Sequence, residues 1–460
     1  LTFMSTPSLS HPDSNPQSHD RVAIIGAGPA GLATARALKQ QGIPFTVFEQ
    51  HDDVGGIWNR AHTRSPMYRS AHFISSRRMS GHMGFPMPEH YPDYPSNQQI
   101  LAYIQDFARH YDLLPHIRFK RRIEQVQASR NGGWELTYSH AHDAIKQEHF
   151  RWVVCANGTN WTPNRPPLPN EAAFTGEIIH SVDYSDESQL RDKRVLVVGA
   201  GNSGVDIACD AAFAARQALI SLRRGYHFVP KHIFGIPADE FGEQSRWLPG
   251  PVRQRLFGIL LRLLVGDLQR LGLPKPDHPV MSSHPILNSQ ILHYLQHGDL
   301  TARGNITHLE GNTVTFKDGQ QDDIDLIILA TGYHWDIPYL PPHLFRWRDR
   351  RPQTYLKIFN PEHPSLFLNG FIETDGGAYK LFDDMGHMIA MSIRTQRDHP
   401  SAAQKMLRLW QAQEPDLSGA IHYVDSPRHT GYTNSRTFVK AMKKFRKQMH
   451  WPEARYENGA

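Results

Sequence analysis

Arg21-Val-Ala-Ile-Ile-Gly26-Ala-Gly28-Pro-Ala-Gly31 and Arg194-Val-Leu-Val-Val-Gly199-Ala-Gly201-Asn-Ser-Gly204 are two copies of one pattern, and they decide the fold. Each opens with a short run of buried-type apolar residues, which reads as a strand. A glycine loop follows, and then a stretch with helical character. In such a loop the first glycine permits a tight turn. The second leaves room for the backbone to approach a pyrophosphate, and the third lets helix and strand pack closely. The phosphates then lie at the positive end of the helix. The motif is credible only between a strand and a helix, and both copies stand there.

Working outward, Gly42 stops the first helix and Phe45-Thr-Val-Phe48 forms the next strand, completing a βαβ unit. That strand ends at Glu49, followed by Gln50, roughly 20 residues beyond the loop, where an acid can bind ribose hydroxyls. In the second unit the strand Ala218 to Leu222 ends instead in Arg223-Arg224. An acid there would repel a 2′-phosphate, whereas Arg binds one in a forked geometry, so the second unit is expected to take NADPH rather than NADH. The expected cofactor contacts are therefore Gly26, Gly28, Pro29, Ala30, Gly31, Glu49 and Gln50 in one unit. In the other they are Gly199, Gly201, Asn202, Ser203, Gly204, Arg223 and Arg224. The expected fold is α/β, with two Rossmann-like dinucleotide-binding domains, the NADPH domain inserted in a discontinuous FAD domain. Two such units in one chain imply electron transfer from nicotinamide to flavin.

The Pro-rich stretch Thr162 to Pro169 marks a boundary, and Asp325-Leu-Ile-Ile-Leu329 reads as a buried strand beyond which the chain returns to the first domain. The expected division is thus 20–168 with 325–445 for FAD and 169–324 for NADPH. Residues 231–290 read as a helical insertion larger than a nucleotide domain needs. Residues 1–19 and 446–460 read as polar tails, the first of them disordered.

The composition is that of an ordinary globular protein, with 39% hydrophobic and 21% charged residues and a formal net charge of +5. The basic residues are scattered, so nucleic acid is not an expected partner. Cys155 and Cys209 form no C-x-x-C pair, which argues against a redox dithiol and fits a reducing cytoplasm. No metal-ligand spacing is present. The apolar run Phe257 to Val265 is broken by Arg262 and is too short to span a bilayer. It reads as an amphipathic helix on the surface or in the core, with a role at a membrane surface as the lesser alternative.

Further motifs resemble the class B flavoprotein monooxygenases, above all the flavin-containing monooxygenases, and relate the chain to Baeyer–Villiger enzymes. The family pattern F-x-G-x-x-x-H-x-x-x-[YFW] stands here as Phe174-Thr-Gly176-Glu-Ile-Ile-His180-Ser-Val-Asp-Tyr184. Gly55-Gly56-Ile57-Trp58, Leu329-Ala330-Thr331-Gly332-Tyr333, Met67-Tyr-Arg-Ser70 and Phe85-Pro-Met-Pro88 also match, and the likeness covers residues 20 to 390. It adds Gly56, Ile57, Trp58, Ser70, Ile123, Ala156, His180, Ala330, Thr331 and Gly332 to the expected cofactor-binding residues, with His180 in an architectural role. The resemblance implies that NADPH reduces FAD and that the flavin captures O2 as a C4a-(hydro)peroxide while NADP+ stays bound. One oxygen atom then passes to a small organic substrate, a sulfide or amine, or a ketone in the Baeyer–Villiger alternative. An NADPH oxidase releasing hydrogen peroxide is the further alternative. Tyr184, where Baeyer–Villiger enzymes usually carry Trp, favours the flavin-containing monooxygenase branch. That branch usually carries an Asn near the flavin, and an ungapped reading from Tyr68 puts Ile74 there. His72, Ile74 and Ser75 are accordingly the expected catalytic segment, with His72 or Ser75 replacing the missing polar group. A homodimer is compatible with this reading, and no transmembrane segment is expected.

Overall fold

The computed structural model describes residues 20–456 except 141, 142, 246, 249, 427, 428 and 430, so the tail expected over 1–19 lies outside the described residues. Two parallel five-stranded sheets form its frame. In the first, Val22–Ile25 is the centre, flanked by Phe45–Phe48 and then Ile117–Arg118 on one side, and by Trp152–Cys155 and then Leu366–Leu368 on the other. In the second, Arg194–Val198 lies between Gln217–Ser221, followed by Thr301–Arg303, and Leu326–Leu329, followed by Glu177–His180. Every residue of Val22–Ile25, Phe45–Phe48 and Trp152–Cys155 is buried, as expected of parallel strands covered on both faces.

The boundary expected at 325 is corrected. Leu326–Leu329 pairs in register with Val195–Val198, so it is a strand of the second sheet, and the chain returns to the first sheet only later, at Leu366–Leu368. The run is uniformly apolar, and such a run identifies a buried strand without saying which sheet holds it. Each sheet is also backed by a small antiparallel meander: Arg121–Ala128, Trp134–His140 and Asp143–Phe150 in the first unit, Ile306–Glu310, Thr313–Phe316 and Gln321–Asp323 in the second.

Helix Pro29–Gln40 packs on the long helix Tyr379–Asp398. They meet at Gly386, where a Cβ would come within 3.0 Å of the Ala33 carbonyl oxygen. The last helix, Ser435–Met449, runs through the start of the tail expected at 446, which is a second correction. Arg446 is buried against Asp384, Trp451 Nε1 donates to Thr395 Oγ1 at 3.1 Å, and the Tyr456 ring lies 3.5 Å from the Arg36 guanidinium. A tail that is polar in composition is thus held by its few aromatic and charged side chains.

The insertion is less helical than expected. It contains the hairpin His232–Ile233/Ile236–Pro237, the helices Ala238–Gln244 and Gly250–Val265, and irregular chain leading to Ile286–Leu287. Its small core joins Ile233, Ala238, Leu261 and Val280 to Val229 just before it.

Candidate dinucleotide and oxygenation site

Both glycine loops sit at the carboxyl ends of their central strands, where open α/β sheets bind ligands. Gly26 has φ +110° and Gly199 has φ +108°, values that favour glycine. A Cβ on Gly26 would lie 2.5 Å from the Ala156 carbonyl oxygen, and one on Gly199 would lie 2.5 Å from that of Ala330. At Gly31 it would meet the Gly26 oxygen at 1.9 Å, and at Gly204 the Gly199 oxygen at 2.1 Å. Gly28 differs, because its nearest neighbour would be Gly56 Cα at 3.5 Å. Gly28 and Gly201, the residues before the two helices, provide no side-chain cap. The amides of the first turns, from Ala30 in one helix and from Asn202 in the other, therefore remain available to an anion. These cradles fit the pyrophosphates of two dinucleotides.

Glu49 is buried at the end of its strand. Oε2 accepts from the Ala27 amide at 2.8 Å, and Oε1 accepts from the His51 amide and the His51 ring, each at 3.0 Å. Burial pushes its carboxyl up, but the hydrogen bonds from His51 and Ala27 outweigh this and hold it below the ordinary carboxylate range. A carboxylate offers about four acceptor positions, so about one is left for a ribose hydroxyl. Gln50 is exposed beside it. The His51 ring stacks on His62 at 3.9 Å, and His62 donates from Nδ1 to the Gly56 carbonyl at 3.0 Å.

Gly55 and Gly56 take φ +123° and +56° and fold the Gly-Gly-Ile-Trp turn against the first loop, where the Gly55 amide donates to Ala27 at 3.2 Å. Trp58 meets Phe73 at 5.1 Å, and Phe73 meets Tyr379 at 5.4 Å. These rings line one edge of the turn. Phe73 points inward, so its neighbours His72 and Ile74 point outward and are exposed. His72 donates from Nδ1 to the Ser70 carbonyl at 2.8 Å, which leaves Nε2 as an acceptor in the neutral ring. Ser80 Oγ donates to Ser75 Oγ at 2.7 Å, so the Ser75 hydroxyl keeps its own proton to donate. Ser75, not His72, is the neutral donor in this segment.

The Ser70 hydroxyl donates to Asp210 Oδ2 at 2.6 Å. Tyr184 OH donates to the same oxygen at 2.8 Å, Tyr68 OH to Asp206 Oδ2 at 2.9 Å, and Asn288 Nδ2 to Asp206 Oδ1 at 2.8 Å. Asp206 and Asp210 are one turn apart on helix Asn202–Ala214 of the second unit, whereas Tyr68 and Ser70 belong to the first. Burial raises both carboxyls above the ordinary range. Sequence reasoning missed this latch, although acids four residues apart on a helix share a face. Ile123 packs with Ile25, Phe48 and Val126 in a buried cluster, so only its backbone is left for a ligand.

In the second unit, His180 donates from Nε2 to the Gly332 carbonyl at 3.1 Å and accepts at Nδ1 from the Val182 amide at 3.1 Å. Both nitrogens are engaged, and burial lowers its pKa, so the ring is neutral. It holds the Ala330–Thr331–Gly332 turn in place. The Thr331 hydroxyl donates to the Asn164 carbonyl at 2.5 Å. Asn202 Nδ2 meets His284 Nε2 at 3.2 Å. Arg223 is exposed, and Arg224 lies 5.5 Å from the Tyr226 ring with its Nε buried and without a hydrogen-bond partner. Among the described residues neither forms an ion pair, and both follow the strand Gln217–Ser221. Cys155 and Cys209 are free and buried, and burial pushes the Cys155 thiol up to about 12.

Sequence reasoning also passed over 369–377. Asn369 is fully buried, and its Nδ2 donates to the Ala30 carbonyl at 3.2 Å and to Thr34 Oγ1 at 2.9 Å. Gly370, at φ +89°, would place a Cβ 2.9 Å from Ala30 Cβ. This segment closes the first cradle from the far side; the Asn369-Gly370 and Gly376-Gly377 pairs were the available signal.

Two nucleotide cradles of this kind, one ending in an acid and one in arginines, define a two-dinucleotide flavoprotein. The profile of the FMO-like family, described as flavin-binding monooxygenase-like, matches residues 19–445. Flavin-containing monooxygenase 5 of Cavia porcellus is 30% identical over 431 residues, spanning 89% of this chain and 79% of the relative. The probable indole-3-pyruvate monooxygenase YUCCA9 of Arabidopsis thaliana is 33% identical over 328 residues, spanning 68% of this chain and 75% of that one. An oxidized steroid monooxygenase bound to NADP shares the fold at a TM-score of 0.69 and 18% identity, covering 94% of this chain and 97% of its own. The chain belongs to the flavin-binding monooxygenase-like family. It is a class B monooxygenase that uses FAD and NADPH, with O2 and a small organic molecule as its substrates. No helix among the described residues is long and apolar enough to cross a membrane.

Proposed function

We propose that this enzyme oxygenates the sulfur or nitrogen of a small sulfide or amine in the cytoplasm. The observation that carries the reading is the rim at His72–Ser75: an exposed Ile74, a His72 whose Nδ1 proton is already donated, and the Ser75 hydroxyl, which accepts from Ser80. Such a rim supplies no fixed cation to polarise a ketone, which favours a substrate that is itself the nucleophile, a sulfide or an amine. Tyr184 in the family fingerprint points the same way. FAD, when bound and reduced, supplies the activation of O2. The chain's own residues bind and orient. Gly28 admits the FAD pyrophosphate, the open acceptor position on Glu49 takes a ribose hydroxyl, and Trp58 and Phe73 wall the flavin side. Gly201 and Gly204 admit the NADPH pyrophosphate, and Arg223 with Arg224 takes its 2′-phosphate. His180 keeps the Ala330–Gly332 turn seated, and the latch at Asp206 and Asp210 fixes the second unit against the segment leading to the rim.

The test is NADPH and O2 consumption with product analysis over sulfides, amines and ketones. Sulfoxides or N-oxides formed in step with NADPH support the reading. Lactones or esters as the main coupled products would place the enzyme on the Baeyer–Villiger side, and hydrogen peroxide with every substrate would make it an oxidase.

A further inference from the structure

The insertion presents an apolar surface that the oxygenation reading does not use. Helix Gly250–Val265 buries Leu261 in the small core of the insertion and ties Gln254 Nε2 to the Val280 carbonyl at 2.7 Å. Its opposite face is apolar as well. Val252, Leu256, Ile259 and Leu263 follow one another at steps of four, three and four residues, which puts them on one side of the helix. All four are exposed, Leu263 to 80%. Arg255 and Arg262 border this stripe on one side and Arg253 on the other, and among the described residues none of the three has an ion-pair partner. The helix contains no Asp or Glu.

Two further features of the insertion are of the same kind. Trp247, just before the helix, is 81% exposed. Phe234 forms the tip of the hairpin at φ +50°, a conformation a bulky side chain rarely adopts, and it is 72% exposed. Two of the three acids of the neighbouring helix Ala238–Gln244 are drawn toward the first unit. Asp239 Oδ2 accepts from the Ser76 amide at 2.6 Å, and Glu240 lies 3.9 Å from Arg78.

We infer that this face of the insertion docks the enzyme on the surface of an anionic lipid bilayer. An apolar stripe bordered by arginines, on an insertion that also exposes two aromatic side chains, is the composition of a helix lying in the plane of a membrane interface. The arginine stems reach past the apolar stripe to anionic headgroups. Charge separates this occupant from a second copy of the chain. A two-fold dimer would bring the same three arginines of each copy together, and the helix has no acid to meet them. The inference does not depend on which substrate is oxygenated.

The experiment is flotation of the purified full-length holoenzyme with vesicles of phosphatidylcholine alone or of equal parts phosphatidylcholine and phosphatidylglycerol, read together with Trp fluorescence. Binding is expected only to the anionic vesicles, with a blue shift in emission. Arg255→Gln with Arg262→Gln should weaken it about thirty-fold, converted from ~1 kcal/mol per basic side chain near an anionic surface. Leu256→Ser, Ile259→Ser and Leu263→Ser together should abolish it. These positions are exposed, so NADPH oxidation without vesicles should be unchanged, which verifies folding. No binding to anionic vesicles overturns the inference, as does binding that the triple variant retains. So does a dimer in sedimentation velocity that the triple variant dissociates, because the face would then be a self-association surface.

Discussion

Gly28 and Gly31 lie three residues apart in one loop, and the structure assigns them opposite consequences on substitution. Gly28 has φ −78° and ψ −178°, open to any residue, and a Cβ there meets nothing closer than 3.5 Å. Gly28→Ala should leave the fold of the apoprotein intact and stabilise it by about 0.4–1 kcal/mol through the unfolded chain. The methyl group would stand where a pyrophosphate approaches. Loss of even one charge-assisted hydrogen bond of ~1.5–3 kcal/mol predicts FAD binding weaker by at least about tenfold. At Gly31 the added Cβ falls 1.9 Å from the Gly26 oxygen. A carbon–oxygen contact needs roughly 3.3 Å, so helix and loop must part by more than ~1 Å. The helix cannot yield freely, because Ala30 to Leu38 are buried. Overpacking of this kind costs about 1–3 kcal/mol, and a backbone clash lies at the upper end. Gly31→Ala should therefore lower apoprotein stability by about 3 kcal/mol. The assays are urea unfolding of FAD-stripped protein by circular dichroism and FAD binding by flavin fluorescence. A Gly28→Ala protein that binds FAD like its parent would refute the assignment of the first cradle, and a Gly31→Ala protein of parental stability would refute the packing account.

Replacing Arg223 and Arg224 by Ser should raise KM for NADPH at least about tenfold, leave KM for NADH nearly unchanged and not lower the unfolding midpoint; an unchanged NADPH preference would show that these side chains point away from the nucleotide. Asp210→Ala strands the hydroxyls of Ser70 and Tyr184 and should cost ~2–5 kcal/mol, whereas Asp210→Asn keeps an acceptor and should cost much less, as thermal unfolding of both variants at neutral pH will test. The Asp210 carboxyl is raised from 3.8 by burial, so the folded form holds its proton more tightly than the unfolded one. Its contribution is full below the unfolded pKa and is lost as pH rises through the raised one, and Asp210→Asn should flatten the matching decline in unfolding temperature above about pH 4. Ser75→Ala, which removes the neutral donor of the rim, should increase the hydrogen peroxide formed per NADPH, and Ile74→Asn should decrease it; equal peroxide yields in all three proteins would show that the rim does not face the reaction.

The parts of the fold legible in the sequence are those that local chemistry dictates. Glycine loops between apolar runs forecast two parallel sheets because only glycine tolerates φ near +110° and a carbonyl 2.5 Å from its would-be Cβ. The positions of Glu49 and Arg223–Arg224 just after strands were legible because each follows a short apolar run. Leu326–Leu329 was read as a strand but assigned to the wrong sheet, since a run buried on both faces carries no mark of its neighbours. Ser70 shows the same limit on a smaller scale. Its place in a family-like stretch suggested the cofactor, and only the folded chain reveals Asp210, 140 residues away, as its partner. The docked tail at 446–456 escaped because composition averages over Trp451 and Tyr456, the residues that hold it.

The two units use one device twice and differ where their ligands differ. Ala156 and Ala330 back their glycine loops at the same would-be distance of 2.5 Å, each just beyond a strand that neighbours the central one. Beyond that the copies diverge. The acid of the first unit accepts from the Ala27 amide and from the His51 amide and ring. The arginines that follow the strand Gln217–Ser221 of the second form no ion pair among the described residues. The mutual position of the two units is held by contacts outside either sheet, the Arg69 amide donating to the Ser185 carbonyl at 2.8 Å among them. Tyr68 and Ser70 reach Asp206 and Asp210 on the helix that begins at the second glycine loop, and two residues past Ser70 the chain becomes the rim of His72, Ile74 and Ser75. A rotation of the second unit must therefore break these hydrogen bonds or draw the rim along with it. The helix that begins at the second glycine loop and the segment leading to the rim are thus linked through two partly buried carboxyl groups.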